Sequence, residues 1–379
     1  MAHRRFYIAL FLIAMFVSII TKRVVLARYG YPTMAAVSGT RSFIFSSRAQ
    51  KQTADSKAEL GWSSPSDADP VLPGTSAASL TAYNYDQASF EKLILYNVAV
   101  AFQPKNRTET NVFKKKSKKS PAELLPLGED NLFVSAQDLH GYMAVGVADG
   151  VGGWSEAGYD SLAILRELCH QIKSRFEQSS AKASDTPKQL LQAAFADVTA
   201  SPKVEIGGTT ACLGILTPEK QLKVANLGDS WCGLFRDYKL VKETQFQTHN
   251  FNTPYQLAKI PAHILRQAEL QGKRYIIDKP DMCDEYVWDL KKDDVIIFAT
   301  DGVTDNVVPQ DIELFLKDQL SNGKKSLSAV SSQFVKEVVK VSKDANFPSA
   351  FAQELSRITG QRYMGGKEDD ITVVMVKVL

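Results

Sequence analysis

Cysteine and histidine are scarce in this chain, with four and five among 379 residues. Cys169, Cys212, Cys232 and Cys283 stand far apart with no C-x-x-C pair. That excludes both a cysteine zinc cage and a disulfide framework as organising devices. Cys169 and Cys212 fall inside apolar patterns and are expected as small core residues. The histidines (His3, His140, His170, His249, His263) have no motif context, so turn or surface roles are expected. No G-x-x-x-x-G-K-[ST] phosphate loop occurs, and Gly150-Val151-Gly152-Gly153 lacks the G-x-G-x-x-G spacing, so a nucleotide-binding α/β fold is not indicated. No internal repeat is visible. The apolar fraction of 44% is that of an ordinary soluble protein.

Acidic residues are missing altogether from residues 1–54, which carry eight basic ones: Arg4, Arg5, Lys22, Arg23, Arg28, Arg41, Arg48 and Lys51. The formal charge of +3 therefore hides a mildly acidic body, which argues against a nucleic-acid partner. Phe6 to Ile20 is an apolar run of 15 residues, short of the roughly 20 that a spanning helix needs. The serine-rich, acid-free stretch behind it reads as a mitochondrial presequence. Arg41-Ser42-Phe43-Ile44-Phe45-Ser46 resembles a two-step processing signature that would start the mature chain at Lys51. An uncleaved anchor in the inner mitochondrial, endoplasmic reticulum or nuclear envelope membrane is the competing reading. Membrane contact is expected only through this run, if it is kept. Residues 55–92 are rich in Ser, Ala, Pro and Asp and poor in large aliphatics, as a flexible linker is. Residues 93–379 are read as one domain, expected to be monomeric.

What the chain does have is four acidic turns spread over 240 residues. They are Gly128-Glu129-Asp130, Asp149-Gly150, Thr300-Asp301-Gly302 and Glu368-Asp369-Asp370. Three adjoin apolar runs that read as strands: Ala144 to Ala148, Val295 to Ala299 and Ile371 to Val376. Asp-Gly is a common turn pair for purely structural reasons, so any one of them alone says little. Several carboxylates at strand ends can share one rim, where they repel each other unless a cation neutralises them. The pattern points to a hard divalent metal.

Leu132 to Ser135 and Tyr142 to Ala148 flank a turn at His140-Gly141 and predict a hairpin. Thr209 to Leu216, Leu222 to Leu227 and Trp231 to Phe235 are further strands joined by short turns. Helical spacing appears at Ala163, Leu165, Leu168 and Ile172, and at Leu190, Leu191, Ala194 and Phe195. Ile312 to Leu320 and Leu327 to Val341 are also amphipathic. Hairpins set apart from helix pairs predict an α+β protein with antiparallel sheets. Phe251 to Ala268 and Lys273 to Asp284 are candidates for a substrate-facing flap.

Six ordered motifs run from about Glu129 to Val376. They are Gly-Glu-Asp at 128–130, Val147 to Gly153, Gly207-Gly208-Thr209-Thr210-Ala211, Ala225 to Ser230, Ala299-Thr300-Asp301-Gly302 and Glu368 to Thr372. Together they resemble the metal-dependent serine/threonine phosphatases of type 2C. Asp-Gly-Val-Gly-Gly-Trp and Asn226 to Gly233, with the presequence, resemble the mitochondrial branch. In fungi and animals that branch is linked to coenzyme Q biosynthesis and mitochondrial protein dephosphorylation. The resemblance implies a four-layer α-β-β-α sandwich with two central antiparallel β-sheets, and phosphorylated mitochondrial proteins as partners.

All-oxygen donors suit Mg²⁺ or Mn²⁺. The resemblance implies two such ions sharing the attacking water, with Asp149 bridging them. Glu129 and the Gly150 carbonyl would complete one site, and Asp301 and Asp369 the other. Asp229 corresponds to a position that, with Asp301, can hold a weaker third ion. Asp130, Asp305 and Asp370 are assigned to the surrounding shell that orders metal-bound waters. Asp370 stands where the family usually has asparagine. Leu125 replaces a phosphate-gripping arginine, and Val151 replaces the histidine that serves as general acid. The basic run Lys114 to Lys119 is a solvated loop or a substitute phosphate contact. These departures leave a second reading open: a weak or inactive relative acting as a metal-stabilised binding module.

Overall fold

The computed structural model describes residues 94–105, 127–151, 159–180 and 182–379, all within the compact unit Ala77–Leu379. The segments read as presequence and linker, Leu125 and Lys114 to Lys119 lie outside the described residues. One sheet has the order β12-β6-β5-β3-β2 and the other β1-β14-β13-β7-β8, with every pairing in both antiparallel. The first comprises β2 (Asp130–Val134), β3 (Met143–Asp149), β5 (Ala211–Leu216), β6 (Gln221–Leu227) and β12 (Asp284–Asp289). The second comprises β1 (Tyr96–Gln103), β7 (Trp231–Arg236), β8 (Lys239–Glu243), β13 (Val295–Ala299) and β14 (Ile371–Val378).

Alternation along each strand divides the apolar side chains between two layers. Val145 and Val147 of β3 point into the space between the sheets with Phe298, Val374 and Val376. Ala144 and Ala148 point outward and meet α1 (Ala163–Gln178) and α2 (Pro187–Ala200) through Leu165, Leu168 and Leu191. On the far side Ile297, Val373 and Met375 pack under α5 (Pro309–Leu320) and α6 (Leu327–Ser342) through Leu316, Phe334 and Val338. Three cores thus separate four layers, helix–sheet–sheet–helix. Sheets covered on both faces need strands that are apolar throughout, which is why β13 reads Val-Ile-Ile-Phe-Ala. Local chemistry agrees. Thr186 and Gln189 form a capping box ahead of Pro187 at the start of α2, and Ser326 caps α6.

Three details depart from the sequence reading. Thr209 to Leu216 is not one strand: β4 (Gly207–Thr209) leaves the main sheet to pair with β11 (Leu257–Lys259). The turn after Leu227 does not close a hairpin, because β6 and β7 belong to different sheets. Asp301 does not sit in a turn but opens α4 (Asp301–Thr304), a single helical turn. All four cysteines are buried and free, including Cys232 and Cys283. Between β7 and β12 lie β9 (Thr248–Asn250), β10 (Thr253–Pro254) and α3 (Ala262–Leu270). Beyond α6 lies α7 (Ala350–Thr359). Among the described residues no helix is long and apolar enough to cross a membrane.

Candidate metal centre

Asp149 ends β3 directly opposite Asp130, which opens β2, so both carboxylates share one face of the sheet. Asp130 is buried, and its Oδ2 accepts from Thr300 Oγ1 at 2.7 Å. Thr300 Oγ1 in turn accepts from the N–H of Thr372 at 3.1 Å. Thr300 follows β13 and Thr372 lies in β14, so this chain of bonds joins the ends of the two sheets. The backbone of Asp149 is fixed from the other side. Its carbonyl accepts from Thr210 N–H at 2.9 Å, and its N–H donates to Thr210 Oγ1 at 3.1 Å. Thr210 Oγ1 also lies 2.7 Å from Ser230 Oγ, beside Asp229 at the crossover between sheets.

The turn that carries Glu129 is clamped by Asp370. Glu129 N–H donates to Asp370 Oδ2 at 2.8 Å, and Lys105 N–H donates to Oδ1 at 2.7 Å. A Cβ on Gly128, whose φ is +69°, would stand 2.1 Å from Asp370 Oδ1, so only glycine lets the carboxylate this close. Gly150 N–H donates to Glu129 O at 3.0 Å, and a Cβ there would stand 2.6 Å from that oxygen. Of the last acidic turn, Glu368 is exposed, Asp369 is half-buried and Asp370 is buried.

Lys367 has no counterpart in the sequence reading. Its Nζ lies 2.8 Å from Asp301 Oδ2 and 3.6 Å from Asp369 Oδ2, and it also bonds Asp305 Oδ2. Asn306 holds the Lys367 backbone on both sides: its Oδ1 accepts from Lys367 N–H at 2.9 Å, and its Nδ2 donates to Lys367 O at 2.8 Å. A lysine two residues before Asp369 was the only signal available in sequence. Asn252, within the first flap candidate, reaches Lys367 Nζ through Oδ1 at 3.4 Å, and Phe251 packs on Phe351. Part of that segment therefore borders the site. His249, exposed as expected, is paired with buried Asp278 at 2.9 Å and stacked on Tyr255. Val151 carries no titratable group, and its N–H donates to Gly208 O at 2.9 Å.

The carboxylates sense one another. Burial, followed by Asp301, Asp130, Asp229 and Asp369, pushes Asp149 well above the usual carboxylate range. Burial and then Asp370 raise Asp130, against the hydrogen bonds from Thr300 and Thr372. Asp229 and Asp305 are each pushed up to about 7, first by burial and then by Asp301. Asp369 is raised by burial and then Asp301, with Lys367 and Lys105 pulling the other way. Five aspartates from distant segments are thus raised together, with Lys367 and Lys105 opposing the rise at Asp369 and hydrogen bonds opposing it at Asp130.

Among the described residues no group of three Asp, Glu, His or Cys side chains is gathered to hold an ion directly. The bonds above give the reason: Asp301 and Asp305 are engaged by Lys367, Asp370 by two backbone N–H groups and Asp130 by Thr300. The donor set nevertheless fits a hard divalent cation, because it is all oxygen and carries more negative charge than Lys367 and Lys105 offset.

Two antiparallel sheets between helix pairs, with clustered aspartates at strand ends, define the 2C class of protein phosphatases. The chain belongs to the protein phosphatase 2C family. It is 51% identical over 299 residues to "Protein phosphatase 2C homolog 7, mitochondrial" of Saccharomyces cerevisiae, a match covering 78% of this chain and 85% of that protein. It is also 34% identical over 252 residues to "Protein phosphatase PTC7 homolog fig" of Drosophila erecta, covering 66% and 76%. Among solved structures the photosystem II phosphatase PBCP superposes with a TM-score of 0.58 at 23% identity, over 75% of this chain and 99% of that one, and so shares its fold. No family model matches the chain. As a member of this family the protein is a Mg²⁺- or Mn²⁺-dependent serine/threonine phosphatase.

Proposed function

We propose that the protein dephosphorylates phosphoserine and phosphothreonine in mitochondrial proteins, using two Mg²⁺ or Mn²⁺ ions held at the acidic rim. The observation carrying this reading is the clustering of aspartates at one rim, with Asp130 opposite Asp149 and with Asp301, Asp305 and Asp369 around one lysine. Asp149 would bridge, Glu129 and the Gly150 carbonyl would hold one ion, and Asp301 and Asp369 the other. When bound, the ions supply Lewis acidity toward the phosphoryl group and the attacking water.

The chain's own residues set the geometry. The Thr210 bonds fix the strand end that carries Asp149, and the Asp370 clamp fixes the turn that carries Glu129. Thr300 ties Asp130 to the opposite sheet, so donors from both sheets keep one spacing. With valine at 151, no imidazole stands next to Asp149-Gly150 to protonate the leaving alkoxide. Esters with poor leaving groups are therefore turned over slowly relative to aryl phosphates.

The yeast relative is named as a mitochondrial protein, which supports a mitochondrial location. The acid-free residues 1–54 would be the targeting segment, 55–92 a linker and 93–379 the catalytic domain. Coenzyme Q biosynthesis is the process to which the resemblance points. Comparing mitochondrial phosphopeptides with the protein present and deleted tests location and substrate class together. Unchanged phosphoserine and phosphothreonine occupancy in that compartment would contradict the proposal.

A further inference from the structure

Within the acidic rim, Asp301 and Asp305 differ from the other carboxylates in sharing a cation, Lys367. Its Nζ bonds both Asp301 Oδ2 and Asp305 Oδ2, and lies 3.6 Å from Asp369 Oδ2. Its remaining surroundings are Asn252 Oδ1 at 3.4 Å and the Phe351 ring, whose centroid is 5.3 Å away. An ammonium has three donors and no acceptor, and Asp301 and Asp305 each take one of them.

The placement is built into the backbone. Asn306 pins both the N–H and the carbonyl of Lys367, and its Nδ2 also bonds Gly302 O inside α4 at 2.9 Å. Gly366 N–H is held by Asp344 O at 2.9 Å, and Gly365 N–H by Phe347 O at 2.8 Å. The lysine is therefore delivered to the two aspartates on a braced loop, unlike a surface side chain that reaches them by chance.

We propose that Lys367 is a tethered cation which offsets the charge of Asp301 and Asp305 in place of a further divalent ion, so that the rim takes the two ions of the metal reading and no third. The inference rests on the metal reading above. It makes Lys367 a positioning residue: it engages one oxygen of Asp301 and one of Asp369, fixing how each presents the other. The weaker third ion implied by the resemblance at Asp229 and Asp301 would then be excluded from this chain by its own side chain.

Counting Mn²⁺ bound per full-length chain, by equilibrium dialysis and elemental analysis, tests the proposal without relying on turnover. Lys367→Met should bind one more ion than wild type, weakly, whereas Lys367→Arg should bind the wild-type number. Equal numbers for Lys367→Met and wild type would overturn the proposal. No Mn²⁺ bound by wild type would overturn the metal reading and this inference with it. If Lys367→Met does not fold, the double variant Lys367→Met/Asp305→Asn removes one charge of each sign. Recovery of folding with the wild-type ion number supports the charge role. Failure of both variants to fold at any Mn²⁺ concentration would mean that Lys367 acts through packing, and the proposal fails.

Discussion

Replacing Asp370 tests whether the acidic rim is held by backbone clamps, because both of its oxygens are occupied by main-chain donors 265 and 241 residues away in sequence. A hydrogen bond to a charged acceptor contributes about 1.5–3 kcal/mol. Asp370→Ala loses two, and the relief of its repulsion on Asp130 offsets part of that loss. The expected destabilisation is roughly 2–4 kcal/mol. Asp370→Asn keeps one oxygen acceptor and must turn its amide N–H₂ toward the other N–H, so about half that loss is expected. Urea unfolding of the full-length chain in chelator, with the slope unchanged, measures both variants. The same loosening frees the turn of Glu129, so the Mn²⁺ needed for half-maximal turnover should rise by about tenfold or more. A loss below about 0.5 kcal/mol for Asp370→Ala, the scatter of an ordinary surface substitution, would refute the clamp. So would an Asp370→Asn variant more stable than wild type, since repulsion would then outweigh the bonds.

Asp149→Asn removes a carboxylate disfavoured by burial and by four neighbouring aspartates, so in chelator it should raise the unfolding midpoint while abolishing turnover. A lowered midpoint would show that the cluster is not strained. Asp229 and Asp305, raised to about 7, contribute stability that is fully present below their unfolded values near about 4 and is lost as pH climbs through about 7. Metal-free protein should therefore lose stability over that window, and saturating Mn²⁺ should abolish the loss. A midpoint that rises with pH in chelator would contradict this. Val151→His places an imidazole beside Asp149-Gly150 and should accelerate phosphoserine peptide hydrolysis by about tenfold or more, leaving aryl phosphate hydrolysis unchanged. Equal effects on the two substrates would show that leaving-group protonation does not limit the rate.

Much of the fold was legible because strands covered on both faces are continuous apolar runs. The run Val295 to Ala299 coincides with β13, and Ile371 to Val376 lies within β14. Tyr96 to Gln103 escaped notice as β1, since its only strand partner in the sheet is β14, some 270 residues later. The break at Thr210 and the crossover at Asp229 are tertiary facts. Local turn chemistry does not distinguish a hairpin from a passage between sheets. Asp149, Asp301 and Asp369 were found through their turns and Asp229 only through the family resemblance; in the structure Asp301, Asp229 and Asp369 all act electrostatically on Asp149. Lys367 was not found, because one lysine in a loop means nothing until Asn306 folds that loop against α4. Asp370 was read as a water-ordering group beside metal; that its carboxylate also holds the N–H groups of Glu129 and Lys105 is a long-range contact no local pattern shows.

The most direct measurement is phosphate release from a phosphothreonine peptide by full-length wild type and Asp149→Ala, each with Mn²⁺ or with chelator. Turnover should require Mn²⁺ and fall by at least a hundredfold in Asp149→Ala, with the variant still folded. Turnover that survives chelation, or an Asp149→Ala rate within tenfold of wild type, would contradict a metal centre built on Asp149.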